Sequence, residues 1–233
     1  MAVSDHLEID FADMDARRHG FAIAGGGLLL AIGDRVSDAP PPVITERGEG
    51  AATVAADGAC EVSLDPLGAG APLGDGSVAW ICRASGTLLS EPFEGFGTLV
   101  RGAALEPAAQ ARSLSLRLDS GLAVVLGARR GPRAGGHGEE ELDVVTFRGE
   151  PAVAVAIARP RLSTTYDGDG RVVHCGLELW ESDEAEFPER IGGEASAHGE
   201  LTSPDGTRTR VAFLACHGDG HPGAGRYAIT TPA

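Results

Sequence analysis

Apolar and polar residues alternate with a period of two along most of this chain. Such a period places successive side chains on opposite faces of an extended strand, so one face packs and the other meets something else. The segments HGFAIAG, GLLLAIG, ATVAA, CEVSLD, SVAWICRAS, FGTLVRG, SLSLRLD and LAVVLGA read as strands, as do DVVTFRG, AVAVAIA, RLSTTYD, RVVHCGLELW, GEASAHGELT, RVAFLACH and GRYAIT. Glycine, aspartate and proline punctuate them. The pairs Asp57-Gly58, Asp75-Gly76, Asp167-Gly168, Asp169-Gly170 and Asp205-Gly206 are expected hairpin turns, because glycine accepts positive φ. Three consecutive glycines at residues 25–27 join two β-like runs without a following amphipathic helix, which predicts a tight connection and not a dinucleotide loop. One helix is expected over residues 105–114, where Pro107 suits a first turn and alanines favour helix. The pattern as a whole predicts an all-β protein.

Two stretches echo each other. ICRASGTLLSEPFEG and GEASAHGELTSPDG share an alternating run, a glycine, a leucine and a polar turn, which sets Gly86-Thr87-Leu88 opposite Gly199-Glu200-Leu201. Their separation is near half the chain, so two similar β units are expected. The most linker-like segment, residues 127–140, places the first unit at 1–130 and the second at 131–233.

Composition narrows the function classes. At 233 residues the chain can bury a substantial core. Its net charge is −15, and arginine supplies every basic side chain because lysine is absent. An acidic surface disfavours phosphate backbones, so no nucleic-acid partner is expected. The polar, acidic N-terminal stretch lacks the layout of a secretory leader, and the longest apolar run is too short to span a bilayer. A soluble cytoplasmic protein with no membrane span is expected. Cys60, Cys82, Cys175 and Cys216 show no paired spacing and read as small buried hydrophobes. In ACHGDGHPGAGRY, Cys216, His217, Asp219 and His221 lie close together, but their spacing fits no zinc signature and a hairpin connection explains the glycines. The DGDG of residues 167–170 lacks the distal glutamate of a calcium loop. No metal and no cofactor are expected.

Candidate chemistry gathers on RLSTTYDGDGRVVHCGLELW, residues 161–180. Val173, Cys175, Leu177 and Leu179 share one strand face, and His174, Gly176, Glu178 and Trp180 share the other. That second face looks either to solvent or into a lumen. A carboxylate enclosed by apolar walls has a raised pKa and can donate a proton. In SVAWICRAS, Trp80 lies on a face with Val78, Cys82 and Ala84, while Arg83 points the opposite way. Core packing is the competing reading for both tryptophans. Tyr166 and Asp167 flank the turn, as its supports or as catalytic groups.

The run RLSTTYDGDGR…GLELW, a following GE…G strand and a closing GRY strand resemble a bacterial family with a duplicated lipocalin-like fold. That family is distantly similar to the carotenoid hydratase (hydroxyneurosporene synthase) superfamily. The resemblance covers mainly residues 161–227, with a looser match over 80–101. Relatives carry an Arg-x-His-Ser-Trp-Gly-like run in the first unit. Here the place reads GFGTLVRGAAL, without those His, Ser and Trp elements, which fits a changed active site or a chain that only binds. The resemblance implies two lipocalin-like antiparallel barrel or sandwich units side by side, with at most one or two short helices and lumens able to enclose apolar ligands. It also implies an enzyme of terpenoid or related secondary metabolism, acting on an apolar small molecule by acid-initiated hydration, cyclisation or isomerisation. On that reading Glu178 is the acid, with Tyr166, Asp167 and His174 as further catalytic groups. Trp80, Trp180 and Arg83 bind substrate. The alternative is a non-catalytic carrier of a hydrophobic small molecule; a homodimer is compatible with either.

Overall fold

The computed structural model describes residues 6–15, 17–74, 76–102, 110–130, 140–182 and 184–233. The strands of the first half are β1 (His6–Ala12), β2 (Arg18–Ile23), β3 (Gly27–Ile32), β4 (Arg35–Ala39), β5 (Val43–Gly48), β6 (Ala51–Ala56), β7 (Cys60–Pro66), β8 (Ala71–Pro72), β9 (Val78–Leu88) and β10 (Glu91–Gly102). Those of the second are β11 (Gln110–Leu118), β12 (Ala123–Arg130), β13 (Glu141–Arg148), β14 (Val153–Ala156), β15 (Arg159–Tyr166), β16 (Val172–Trp180), β17 (Glu189–Thr202), β18 (Arg208–Gly218) and β19 (His221–Thr231). None of the described residues is helical. The expected helix fails over residues 110–114, which pair as strand in β11 with β12 and β19; Pro107 lies outside the described residues.

The strands form two curled antiparallel sheets, each a lipocalin-like unit. The first runs β4-β3-β2-β1-β10-β9-β7-β6-β5, with β8 added on β9, and the second runs β14-β13-β12-β11-β19-β18-β17-β16-β15. The two orders are the same meander, so the duplication is real at the level of topology. The sequence echo aligned it one strand out of step. It set β9 against β17, whereas equal places in the two sheets pair β9 with β18 and β7 with β17. A glycine, a leucine and a turn recur in almost any hairpin, so so short a pattern cannot set the register of a repeat. The sheets part between Gly102 and Gln110, earlier than the expected boundary at 130, because β12 and β13 pair directly and the glycine-rich stretch connects them.

Alternation explains each unit's interior. In β1, Leu7, Ile9 and Phe11 face inward, joining Leu30, Val54, Val62, Trp80 and Phe93 in the first core. Phe11 and Phe93 meet edge to face at 5.4 Å, a favourable aromatic geometry. In β16, Cys175, Leu177 and Leu179 face inward as the pattern predicts, and pack with Leu116, Leu126 and Leu214 in the second core. Three further apolar clusters join the units. The two larger bring Phe21 and Leu29 against Val211 and Phe213, and Ala79 and Ile81 against Val125 and Phe147; the smallest packs Ala12 and Phe96 on Ala224.

Four of the five expected Asp-Gly turns have their glycine at positive φ, Gly58, Gly76, Gly170 and Gly206 at 66° to 86°, although Asp75 lies outside the described residues. Gly168 is not among the positive-φ glycines, and the turn there is made at Gly170. The stretch at residues 215–227 forms the expected hairpin connection, its two strands joined at Asp219 and Gly220, both at positive φ. Among the described residues, no helix is long and apolar enough to cross a membrane.

Candidate functional site

Between the two larger apolar clusters that join the units lies a buried charged group. His6, Glu8 and Asp10 occupy alternate positions of β1, opposite in direction to Leu7, Ile9 and Phe11. In an isolated sheet that face would meet water. Here β11 and β19 of the second unit cover it, leaving Asp10 4% and Arg226 2% exposed. Arg226 donates through Nη2 to Glu8 Oε2 at 2.7 Å and through Nε to Asp10 Oδ2 at 3.2 Å. Its Nη1 donates to Ser113 Oγ, and its guanidinium lies 4.6 Å from the Phe21 ring centroid. The Ser115 hydroxyl donates to Asp10 Oδ2 at 2.6 Å, and His6 Nε2 meets Glu8 Oε1 at 3.2 Å.

These environments drive two neighbouring carboxyls apart. Burial pushes Glu8 up, but the Arg226 charge and the His6 hydrogen bond outweigh it and hold Glu8 at about 2. At Asp10 burial wins over Arg226 and Ser115, and the carboxyl is raised. The Glu8 hydrogen bond raises His6 above its ordinary value, against the opposing effect of burial. Opposite shifts on neighbouring titratable groups arise in proton-handling sites and in structural ion networks alike.

The cluster borders a cavity of about 70 Å³ between the units. His6, Glu8, Ser113 and Arg226 supply its polar wall, while Leu73, Val100, Val125 and Leu126 supply much of the apolar one. Arg112 closes one side. Glu140 clamps that guanidinium with both carboxylate oxygens, and Arg112 Nη1 donates to Tyr227 Oη at 3.1 Å.

The residues singled out from the sequence lie elsewhere and do not converge. Glu178 faces outward on β16, where Arg190 Nε at 3.1 Å and Arg161 Nη1 at 3.8 Å pair with it. It is therefore not enclosed by apolar walls, as the lumen reading required. Glu178→Gln is expected to change stability by less than about 1 kcal/mol in urea unfolding, as for half-exposed ion pairs generally. Trp180 is half-buried on the same outer face, with Arg161 and Arg159 at 5.0 and 5.8 Å from its ring. His174 is exposed. Asp167 accepts from the backbone N–H groups of Arg171 and Asp169 at 2.8 and 2.9 Å, which lowers its pKa and builds the turn. Trp80 belongs to the first core, 4% exposed, under Gly50 and Gly70, where any Cβ would overlap its ring. Arg83 is exposed and pairs with Glu150 at 2.8 Å across the units. Three of these residues border concavities, but separate ones: Glu178 one of about 870 Å³, Arg83 one of about 330 Å³, and Tyr166 another of about 330 Å³ at the open end of the second unit.

The cluster of His6, Glu8, Asp10 and Arg226 escaped the sequence reading. Its visible trace was HLEIDF, three ionisable residues on one face of a strand whose other face is apolar. The same trace describes any solvent-facing strand.

No protein-family model and no curated relative matches this sequence. Solved structures do match in fold. CghA in complex with Sch210972 shares 12% identity at a TM-score of 0.63, over 98% of this chain and 88% of that one. A candidate AttH from Nitrosomonas europaea shares 12% at 0.60, over 97% and 92%. Kievitone hydratase from Nectria haematococca shares 9% at 0.56, over 98% and 88%. At 9–12% identity these likenesses extend to the fold, which is the lipocalin-like one expected.

Proposed function

We propose that this chain is an enzyme acting on a largely apolar small molecule, of terpenoid or related type, in the cleft between its two units. The reaction class is acid-initiated hydration, cyclisation or isomerisation. The observation that carries this reading is the His6–Glu8 pair at the wall of a cavity with one apolar side, anchored from behind by Arg226 and flanked by Ser113, Arg112 and Arg129.

His6 is the acid on this reading. An imidazolium has two N–H donors. One is held by Glu8, which orients the ring and favours its charged form; the other is free to protonate an alkene or a polar group of the substrate. The Glu8 carboxylate then lies beside the cationic intermediate and stabilises it. Capture by water and loss of its extra proton complete hydration, capture by an internal double bond and loss of a proton from the new cation complete cyclisation, and loss of a different proton from the first cation completes isomerisation. In each case His6 recovers its proton from the product side or from solvent. A hydratase among the structures of this fold supports the reaction class.

The test pairs metabolite profiling with a substitution. The wild-type chain, incubated with small-molecule extract of its own host, is expected to consume one apolar component. His6→Gln should slow that consumption on the order of 100-fold, the usual scale of a lost general acid. Equal rates in the two proteins would remove His6 from the chemistry. A compound retained in native mass spectrometry but never converted would instead mark the carrier reading.

A further inference from the structure

We infer that Gly127 decides what enters the cleft, because the space above it is a subsite for a compact, uncharged end of the substrate. The role presupposes that the cleft is the reacting site, and it specifies which part of a ligand comes up to His6 and Glu8.

Gly127 lies inside β12, between β11 and β13. Val124, Leu126 and Ala128 of that strand fill the second core, whereas Val125 packs toward the first unit. Period two then turns Gly127 and Arg129 toward the first unit as well, and both line the cavity. A glycine inside a strand forgoes packing and loses more chain entropy on folding than any other residue. It is therefore found where something must come close to the backbone. At Gly20 that something is the Phe11 ring, and at Gly192 it is the His217 imidazole. At Gly127 the chain supplies nothing, since a Cβ there would meet no atom within 4 Å. Among the described residues it is the one glycine within a strand, outside the positive-φ region, that faces empty space. The close approach is left to a ligand.

Size and charge narrow that ligand. The cavity of about 70 Å³ is roughly twice the share of one water in the liquid, about 30 Å³, and under half of the roughly 150 Å³ that holds benzene. It takes a group of about five heavy atoms, such as a branched chain end, and leaves the rest of a larger molecule outside. No cation in the wall calls for an anion. Glu140 holds Arg112, and Glu8 and Asp10 hold Arg226. Arg129 stands opposite Glu141 and diagonal to Asp143 on one face of β12 and β13. With a carboxylate at every guanidinium, a charged group leaving water for this wall would find no partner. Leu73, Val100 and Val125 supply the apolar side that an uncharged end would touch.

Methyl NMR of the full chain tests this, with isobutanol as the neutral group and isobutyrate as its charged match. Isobutanol is expected to shift the Val100 and Val125 methyls saturably at millimolar concentration, and isobutyrate to bind at least about tenfold more weakly. Gly127→Val should abolish the saturable shift, and Gly127→Ala should weaken isobutanol several-fold. Because the new Cβ meets no neighbour, Gly127→Ala should also raise Tm by about 2 °C, the reverse of its effect at a packed glycine. No saturable shift in wild type, full isobutanol affinity in Gly127→Val, equal affinity for isobutyrate, or a Tm of Gly127→Ala several degrees below wild type would each overturn the inference. Turnover of the host compound separates this role from the function beneath it. Slow turnover in His6→Gln with wild-type turnover in Gly127→Val would overturn the role of Gly127 alone. Wild-type turnover in both, with isobutanol excluded by Gly127→Val, would uphold the subsite and overturn the cleft as the reacting site.

Discussion

Arg226→Met is expected to destabilise the protein by about 3–5 kcal/mol, the usual scale for breaking a buried ion network by removing one partner. Methionine matches the stem of arginine and keeps contact with Phe21, so packing loss contributes little. What the substitution removes is the only cation bonded to both Glu8 and Asp10 among the described residues. Both carboxyls stay under the second unit, and Ser113 and Ser115 cannot replace a full charge. The measurement is urea unfolding, read as a lower midpoint at unchanged slope. Adding Glu8→Gln and Asp10→Asn to Arg226→Met should return much of the loss, since neutral amides no longer need the guanidinium. A loss under about 1 kcal/mol for Arg226→Met alone would mean that water reaches the cluster and screens it.

The second large effect is a pH dependence with a defined sign. Glu8 titrates at about 2 in the folded chain against an ordinary 4.5, so its contribution is present above pH 4.5 and lost as pH falls through 2. The difference corresponds to about 3 kcal/mol at neutral pH. Asp10 and His6 work in the other direction. Both are raised on folding, so Asp10 contributes below 3.8 and His6 below 6.5, and each contribution fades as pH rises through the folded value. Stability is therefore expected to peak in the weakly acidic range, with an acid limb set largely by Glu8. Glu8→Gln should flatten the fall in Tm between pH 5 and pH 2 relative to wild type. Parallel curves for the two proteins over that interval would show that Glu8 carries no such linkage.

Much of the architecture was legible in advance because strand patterning is local. The inward rows Cys175-Leu177-Leu179 and Trp80-Cys82-Ala84 follow from period two alone, and the Asp-Gly turns follow from what glycine permits. Unit boundaries were less legible. A glycine-rich stretch has the same composition whether it links two sheets or joins β12 to β13 within one. The site was not legible, for a related reason. Glu178 and His6 both sit on polar strand faces opposite apolar ones, and nothing within either strand says which face a second sheet will cover.

The sequence by itself determined the local geometry: extended strands, their inward apolar rows, the turns between them, and a doubled supply of both. Those properties depend on neighbours one to four positions apart, and a linear pattern records such neighbours. Only the tertiary structure decided which polar face is dry. Glu8 and Arg226 are separated by most of the chain and lie 2.7 Å apart because β1 and β19 meet where the units pack. Removal of water from that contact is what shifts the carboxyls and the histidine, and desolvation is a property of the assembled interface that no single strand carries.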